Sequence, residues 1–194
     1  MSISMSLNGL LGILHPVLLA PMDVVSGARL TAAVSNAGGF GILGGGYGER
    51  AWLEQETAKL GQFARAPFGV GFITWSLAER PQLLDAALAH APAAIMLSFG
   101  DAGPFIPRIK DAGIPVICQV QTVAMAREVL RQGADIIIAQ GGEAGGHGST
   151  RRGTLPSGAS QWSSPDRTFR SPGSRRTRNA ATSTSGPVIE RGRV

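Results

Sequence analysis

Cysteine is almost absent from this 194-residue chain: Cys118 is the only one, so an internal disulfide framework is excluded. No apolar run reaches the roughly 18 residues that a membrane span requires. No Lys or Arg precedes Arg29, so we interpret the apolar stretch 7–20 as the entry into a first strand rather than a secretory signal. These absences exclude a disulfide-stapled secreted scaffold, and we expect a cytoplasmic protein without a membrane segment.

Acidic residues become scarce toward the C terminus, and this scarcity sets the charge of the chain. Residues 1–153 hold 11 Lys or Arg and 11 Asp or Glu, whereas residues 154–194 hold seven Arg and two acids. The net charge of +5 therefore belongs entirely to the last segment. That segment lacks the interleaved aromatic residues and the helical spacing of a nucleic-acid or membrane-binding element, so we expect neither partner.

Short apolar runs alternate with helical patterns along the first 140 residues. Six runs predict buried strands, at 17–20, 40–43, 68–73, 93–98, 115–120 and 135–140. Five intervening segments have the apolar spacing of helices, at 28–37, 50–64, 78–89, 104–112 and 122–131. Thr122 is the expected N-cap of the last helix, and Pro81 is acceptable in the first turn of the third. This alternation predicts a parallel α/β fold.

Residues 39–44 form a literal G-x-G-x-x-G motif. A dinucleotide-binding motif of this kind follows a strand and opens a helix, whose N-terminus then faces the pyrophosphate. Here the motif follows a predicted helix and leads into a predicted strand. We therefore do not interpret it as a nucleotide site.

The stretch 139–148, with the sequence AQGGEAGGHG, follows the last predicted strand and carries the strongest functional signal. Glycines allow the backbone to approach a flat ligand closely, and His147 can move protons near neutral pH. An isolated Gly-Gly-His would more often be a simple turn with an exposed histidine. Glu143 and His147 are too few ligands for a metal site. His15 and His90 have no motif around them, and we expect both to be structural or exposed.

The whole stretch resembles the AQGxEAGGHxG signature of the FMN-dependent nitronate monooxygenase (2-nitropropane dioxygenase-like) family, and the resemblance covers residues 1–156. It implies a TIM barrel of which roughly six of eight units are present. In such a barrel the site lies at the carboxyl ends of the strands. The resemblance makes His147 the catalytic residue and implies FMN contacts at Ala20, Pro21, Met22, Gly71, Gln119, Gln140, Gly145 and Gly146. Many relatives have an Asn beside the position of Gly71, and this chain lacks that amide.

The resemblance implies an FMN-dependent reaction in which O2 and a small substrate, an alkyl nitronate or a nitroalkane, are consumed. The products are a carbonyl compound and nitrite, and the enzyme could form a homo-oligomer. A flavin-dependent enoyl-thioester (enoyl-ACP) reductase on the same barrel shares the EAGGH loop and is an open alternative. NADH oxidation with a crotonyl-thioester distinguishes the two reactions.

Residues 157–194 differ in character from the predicted barrel of residues 1–156. Ser, Arg, Thr, Pro and Gly dominate, and no strand or helix period persists, so we expect a disordered basic tail. The family resemblance stops abruptly after Leu155-Pro156, as a shifted reading frame would produce. A third hypothesis is therefore an inactive, truncated barrel, and sequencing the gene on both strands tests the frame.

The resemblance also predicts weak cofactor binding, because the family holds the FMN phosphate with glycine turns after its last two strands and none follows Pro156. Losing two or three charge-assisted hydrogen bonds, each worth roughly 1.5–3 kcal/mol, weakens binding by about two to six powers of ten. We expect the chain to purify mostly colourless, and a grafted strand 7–8 segment to restore the yellow colour. Titration of FMN, followed by flavin fluorescence, measures the affinity. Submicromolar, stoichiometric binding would contradict this prediction.

Overall fold

A computed structural model of the chain describes residues 6–45, 47–142 and 144–145, together with the backbone of a strand at 188–190. The helices are α1 (Leu7–Leu11), α2 (Ala28–Asn36), α3 (Arg50–Phe63), α4 (Thr74–Glu79), α5 (Gln82–Leu88), α6 (Ile106–Asp111) and α7 (Val123–Gln132). The strands are β1 (Gly41–Gly44), β2 (Phe68–Ile73), β3 (Ala94–Ser98), β4 (Val116–Val120), β5 (Ile136–Ala139) and β6 (Val188–Glu190).

Within the described part of the chain, the six strands form one sheet in the order β1-β2-β3-β4-β5-β6. Strands β1 to β5 are parallel, and helices connect each to the next. A doubly wound sheet reverses its order at a switch point, whereas this sequential order is that of a (β/α) barrel. The predicted α/β fold class is therefore confirmed. The motif at 39–44 follows α2 and its last four residues form β1, so it leads from a helix into a strand as expected.

The first predicted strand, 17–20, adjoins β1 through a single parallel bridge from Leu18 to Phe40. The Leu19 N–H donates to the Phe40 carbonyl at 2.9 Å, and the Phe40 N–H donates to the Val17 carbonyl at 2.8 Å. The segment thus has the place expected of the first barrel strand. It stays short because Pro21, which has no N–H, follows at once.

Two helices differ from the predicted pattern. The predicted helix 78–89 is interrupted at Arg80, where α4 ends, and Pro81 becomes the N-cap of α5. Proline is not tolerated in the interior of a helix, because it lacks an N–H and its ring clashes with the preceding turn. The apolar residues before and after Pro81 therefore belong to separate helices. Helix α1 was not predicted; the Ser6 hydroxyl caps it by accepting from the Gly9 N–H at 3.2 Å. In the described ranges no helix has the length and apolar character needed to cross a membrane.

Strand β6 pairs antiparallel with β5, with Ile137 opposite Ile189. It lies inside the segment 157–194, in which the sequence predicted no strand. The edge of β5 offers unpaired backbone groups, and a Val-Ile pair has high strand propensity. A strand of three residues is too short to show a period. The rest of the predicted tail lies outside the described residues, so its disorder and the domain boundary at 156 stay predictions.

The two faces of the parallel sheet carry different cores. The outer face packs against the helices, with large buried side chains including Leu43, Leu53, Leu84 and Leu97. The inner face carries a second cluster that α1 completes; its members are Leu7, Leu11, Ile13, Phe40, Ile42, Ala94, Met96, Ile117 and Ile136. Burial of each such leucine or isoleucine contributes about 1.5–3 kcal/mol. Helix α1 therefore closes the inner face where it is most apolar.

The start of α2 is held by a carboxylate from α3. Glu56 Oε2 accepts from the Ala28 N–H at 2.7 Å, and Lys59 Nζ donates to Glu56 Oε1 at 2.6 Å. A Cβ at Gly27 would lie 2.9 Å from Glu56 Oε2, so a side chain there would require the carboxylate to shift. Burial alone raises the pKa of Glu56, but the bonds from Lys59 and Ala28 and the Lys59 charge outweigh it and hold the pKa below its ordinary value of 4.5.

Replacing Glu56 with Gln keeps the shape of the side chain and removes its charge from the helix N-terminus. We expect the free energy of unfolding at pH 7 to fall by about 0.5–1 kcal/mol. Because the folded-state pKa of Glu56 is lowered, its contribution is complete above pH 4.5 and disappears as the pH falls through the folded-state value. Urea denaturation at several pH values should show wild type and variant converging in acid.

The matched control is Glu54→Gln, since Glu54 pairs with Arg50 on the exposed side of the same helix. Exposed pairs of this kind contribute about 0.3–0.5 kcal/mol. A deficit in Glu56→Gln that persists unchanged in acid, or that Glu54→Gln reproduces in full, would contradict the role given to Glu56.

Candidate functional site

The inner face of the sheet changes from apolar to polar toward the carboxyl ends of β3, β4 and β5. Alternation along these strands places Ser98, Gln119 and Gln140 on the same face as the inner core. The Ser98 hydroxyl donates to Gln119 Oε1 at 3.1 Å. Gln121 Nε2 donates to Gln140 Oε1 at 2.8 Å. Three neighbouring strands thus present hydroxyl and amide groups at one end of the sheet, where barrel enzymes place their sites.

Gln119 has a donor that the described residues leave unused. Its Nε2 is buried, and no described atom accepts a hydrogen bond from it. Leaving a buried amide donor unpaired costs about 1–3 kcal/mol, so such a group is expected to meet an acceptor from a ligand. The carbonyl oxygens and ring nitrogens on the pyrimidine edge of a flavin are acceptors of this kind. The donor set therefore fits the ring side of FMN.

Three glycines near the carboxyl ends of the first strands pack closely against neighbouring residues. A Cβ at Gly71 would lie 2.4 Å from the Cβ of Pro21, and one at Gly44 would lie 2.7 Å from the Met22 carbonyl oxygen. A Cβ at Gly45 would lie 2.6 Å from the Phe72 ring. The Gly45 N–H donates to the Gly71 carbonyl at 2.7 Å. We name residues 20–22, 44–45 and 71 the backbone platform, a close-packed surface that suits a flat ligand.

The predicted site residues are brought to one edge of the sheet where the structure describes them. Pro21 packs on Gly71, and the exposed Met22 continues from it. Ala20 is exposed, at the end of the segment paired with β1. Gln119 and Gln140 lie at the ends of β4 and β5, as expected.

The end of the signature stretch is described only in part. Gly145 is exposed, and a Cβ there would meet no atom of the described residues within 4 Å. Gly146 and His147 lie outside the described residues, and so does Glu143. Their roles stay predictions.

Four polar or glycine positions at this face were not singled out from the sequence. Ser98 and Gln121 follow from alternation, since Ser98 lies two residues after Met96 and Gln121 two residues after Gln119. That signal was available once the strands had been predicted. Gly44 and Gly45 gave no separate signal, because only their approach to Met22 and Phe72 shows why they are glycines.

The other reactive residues are separated from this site. His15 and His90 are exposed, as predicted, and His90 Nε2 lies 3.2 Å from Thr57 Oγ1. Burial, with a smaller contribution from the charge of Asp135, raises the pKa of Cys118 to about 12. Cys118 is therefore an inert buried thiol. No group of His, Cys, Asp and Glu suited to a metal ion occurs among the described residues.

Trp75 lies on the rim beyond β2. Its ring is 51% exposed and is tilted at 6.1 Å from the ring of Tyr47. It also lines a groove of about 440 Å³ with Gly100, Phe105 and Arg108. This groove is separate from the polar inner face, so Trp75 is a rim residue of the sheet end.

A sequential parallel sheet, helical crossovers and polar groups at the carboxyl ends define the class of (β/α)-barrel proteins. The nitronate monooxygenase family profile matches residues 4–161, and the chain belongs to this family. Members of this family are typically flavin-dependent oxidoreductases. The resemblance drawn from residues 139–148 is therefore confirmed.

Two relatives and one solved structure show the range of the similarity. The chain is 34% identical over 142 residues to an octahydro-1H-indene-4-carboxyl-CoA dehydrogenase of Rhodococcus jostii, covering 73% of this chain and 40% of that protein. It is 34% identical over 177 residues to a nitronate monooxygenase of Pseudomonas aeruginosa, and the match covers 71% of this chain and 50% of that protein. The structure of FabK from Thermotoga maritima matches with a TM-score of 0.71 at 32% identity, and the match covers 79% of this chain and 49% of that one. The chain spans half or less of the length of these proteins.

Because the Gln119 donor is unused, we expect its removal to lower the affinity for FMN while leaving the stability of the fold nearly unchanged. Gln119→Leu should raise the dissociation constant for FMN about tenfold, which is about 1.4 kcal/mol. The free energy of unfolding should change by less than about 1 kcal/mol, because the lost Ser98 bond is offset by removal of an unpaired buried donor. Fluorescence titration and urea denaturation measure the two quantities.

Gln132→Leu is the matched control for this variant. Gln132 Oε1 is also buried with no described partner, but it ends α7, away from the carboxyl ends of the strands. We expect the Gln132→Leu variant to bind FMN with the same affinity as wild type. Equal affinity losses in both variants, or none in Gln119→Leu, would show that Gln119 does not face the flavin.

Proposed function

We propose that this chain supplies the ring-binding side of an FMN-dependent oxidoreductase that converts alkyl nitronates and O2 into carbonyl compounds and nitrite. The observation that carries the proposal is the buried, unused donor of Gln119 at the sheet end that also holds the backbone platform. The family and the Pseudomonas aeruginosa relative support nitronate as the substrate class.

In this proposal the chain holds the flavin mainly through backbone. Residues 20–22 and Gly71 form one wall, Gln119 and Gln140 offer amide groups to the ring edge, and the backbone at 145–146 closes the other side. Bound FMN would supply the electron acceptor for the substrate and the reaction with oxygen. The protein holds the ring in place and keeps water from the buried amides.

His147 would act on the substrate rather than on the flavin. Strand β5 ends at Ala139 and directs the following chain to the carboxyl face, where this histidine is expected. A neutral imidazole there can remove the proton from the carbon that bears a nitro group, which gives the nitronate. With a preformed nitronate no proton needs to be removed, and the imidazole would instead donate a hydrogen bond to a nitronate oxygen.

One observation supports a second candidate. The Rhodococcus jostii relative is named as a dehydrogenase of a carboxyl-CoA compound, so a thioester substrate occurs among the chain's relatives. A flavin-dependent enoyl-thioester reductase would show NADH oxidation with a crotonyl-thioester and no nitrite from a nitronate.

The direct test of the primary proposal supplies propyl nitronate to the chain with excess FMN and follows oxygen uptake and nitrite. No flavin-dependent turnover would contradict it.

The role of His147 predicts a substrate-dependent loss. His147→Ala should lower turnover of a neutral nitroalkane by about 10²-fold or more, the usual scale for a general base, and should lower turnover of the preformed nitronate less. Flavin binding should be unchanged, because backbone holds the ring. Full activity of the variant on the neutral nitroalkane would exclude His147 as the base, and loss of flavin would make its role structural. The control His90→Ala, at an exposed histidine on the helical side, should match wild type in both assays.

A further inference from the structure

The turn that follows the first barrel strand is closed by the buried Ser26. The Ser26 hydroxyl donates to the Ala20 carbonyl at 2.7 Å and accepts from the Met22 N–H at 3.1 Å. The Ser26 N–H donates to the Met22 carbonyl at 2.9 Å. Because Ser26 is fully buried, it cannot touch a ligand itself. Its hydroxyl instead fixes both ends of the Ala20-Pro21-Met22 turn.

The same residue also reaches the second part of the platform. The Ser26 carbonyl accepts from the Gly44 N–H at 3.0 Å and from the Thr31 hydroxyl at 3.4 Å. Gly44 in turn approaches Met22 so closely that no Cβ fits between them. One buried serine therefore joins the turn after the first strand to the end of β1.

The turn needs such an anchor because its backbone is strained. Val24 has a φ of 50°, in the left-handed region that a β-branched residue rarely adopts. The Val24 N–H donates to Asp23 Oδ1 at 3.0 Å. Within the turn the Val25 N–H donates to the Asp23 carbonyl at 2.6 Å and the Met22 N–H to the Ala20 carbonyl at 2.9 Å, and Ser26 adds the bonds that tie both ends of the turn to one buried side chain. Backbone held in an unfavourable conformation stays there only when its surroundings fix it.

We propose that Ser26 is the positioning residue of the cofactor site: its hydroxyl and carbonyl hold residues 20–22 and Gly44 in the conformation that receives the flavin ring. This inference rests on the proposed function, since it concerns the same flavin. It assigns to Ser26 no contact with the flavin or the substrate. Its action on the ligand passes entirely through the backbone of the platform.

The test compares Ser26→Ala with Ser35→Ala in the full chain. Ser35 is also buried, and its hydroxyl accepts from a backbone N–H, that of Gly41, at 3.0 Å. That bond lies at the amino end of β1, away from the platform. Both variants therefore lose one buried serine hydroxyl, and both should melt at a lower temperature than wild type. Only Ser26→Ala should change the platform.

We expect Ser26→Ala to raise the dissociation constant for FMN about tenfold, the effect of one or two lost hydrogen bonds, and Ser35→Ala to leave it within about twofold. The visible circular dichroism of bound flavin should change in Ser26→Ala alone. In the flavin-free chain, amide exchange at Met22 and Gly44 should accelerate in that variant. Ser26→Thr, which keeps the hydroxyl, should restore affinity and spectrum.

The possible results distinguish a failure of the positioning role of Ser26 from a failure of the proposed function. If wild type binds FMN and Ser26→Ala binds it equally well, the positioning role is overturned and the proposed function stands. If both serine variants lose affinity in proportion to their loss of thermal stability, Ser26 is merely structural and the inference is again overturned. If wild type binds no FMN at any concentration, the proposed function fails and the role of Ser26 toward a flavin fails with it.

Discussion

The contact between the Pro21 ring and the backbone of Gly71 is the constraint on which the candidate site depends. Any side chain at residue 71 would overlap the proline, since even a Cβ would lie 2.4 Å from it. The turn after the first strand can therefore fold over the end of β2 only because β2 has a glycine there. The Gly45 N–H bond to the Gly71 carbonyl ties the end of β1 to the same point. The proline ring and the glycine backbone of three strand ends are thus packed together at one point.

Apolar and polar residues are separated along the inner face of the sheet. Toward the amino ends of the strands, Leu7 and Leu11 of α1 pack on apolar strand residues and leave no polar group to satisfy. Toward the carboxyl ends, Ser98, Gln119 and Gln140 replace them. Polar groups at that end cost stability unless something accepts their hydrogen bonds. This division lets variants at Gln119 change ligand affinity while the apolar half keeps the sheet folded.

Much of the fold could be predicted from the sequence because its strands are short apolar runs and glycines follow several of its helices, as Gly133 follows α7. The Thr122 cap is confirmed: its hydroxyl accepts from the Met125 N–H, and Gly133 ends the helix with a φ of 109°. The five-residue helix α1 escaped prediction because it is too short to show a period. The strand at 188–190 escaped for the same reason.

The candidate site was predictable to a different degree. Residues 20–22, Gln119 and Gln140 could be named because each lies at the carboxyl end of a predicted strand or directly after it and matches a family position. Ser26 could not be named, because its partners are backbone atoms whose positions only the folded turn reveals. Gly71 was expected to touch the flavin, and the structure also gives it a packing role against Pro21.

The central claim is that the described residues receive the ring of a flavin without its phosphate. It is tested most directly by titrating riboflavin, which has the ring and no phosphate, into the ¹⁵N-labelled chain and following amide NMR signals. We expect the signals of Met22, Gly44, Gly71 and the Gln119 side-chain amide to shift together with one dissociation constant, while the signal of Gly41 at the amino end of β1 stays unchanged. Shifts confined to the groove beside Trp75, or no shift at the platform at saturating riboflavin, would contradict it.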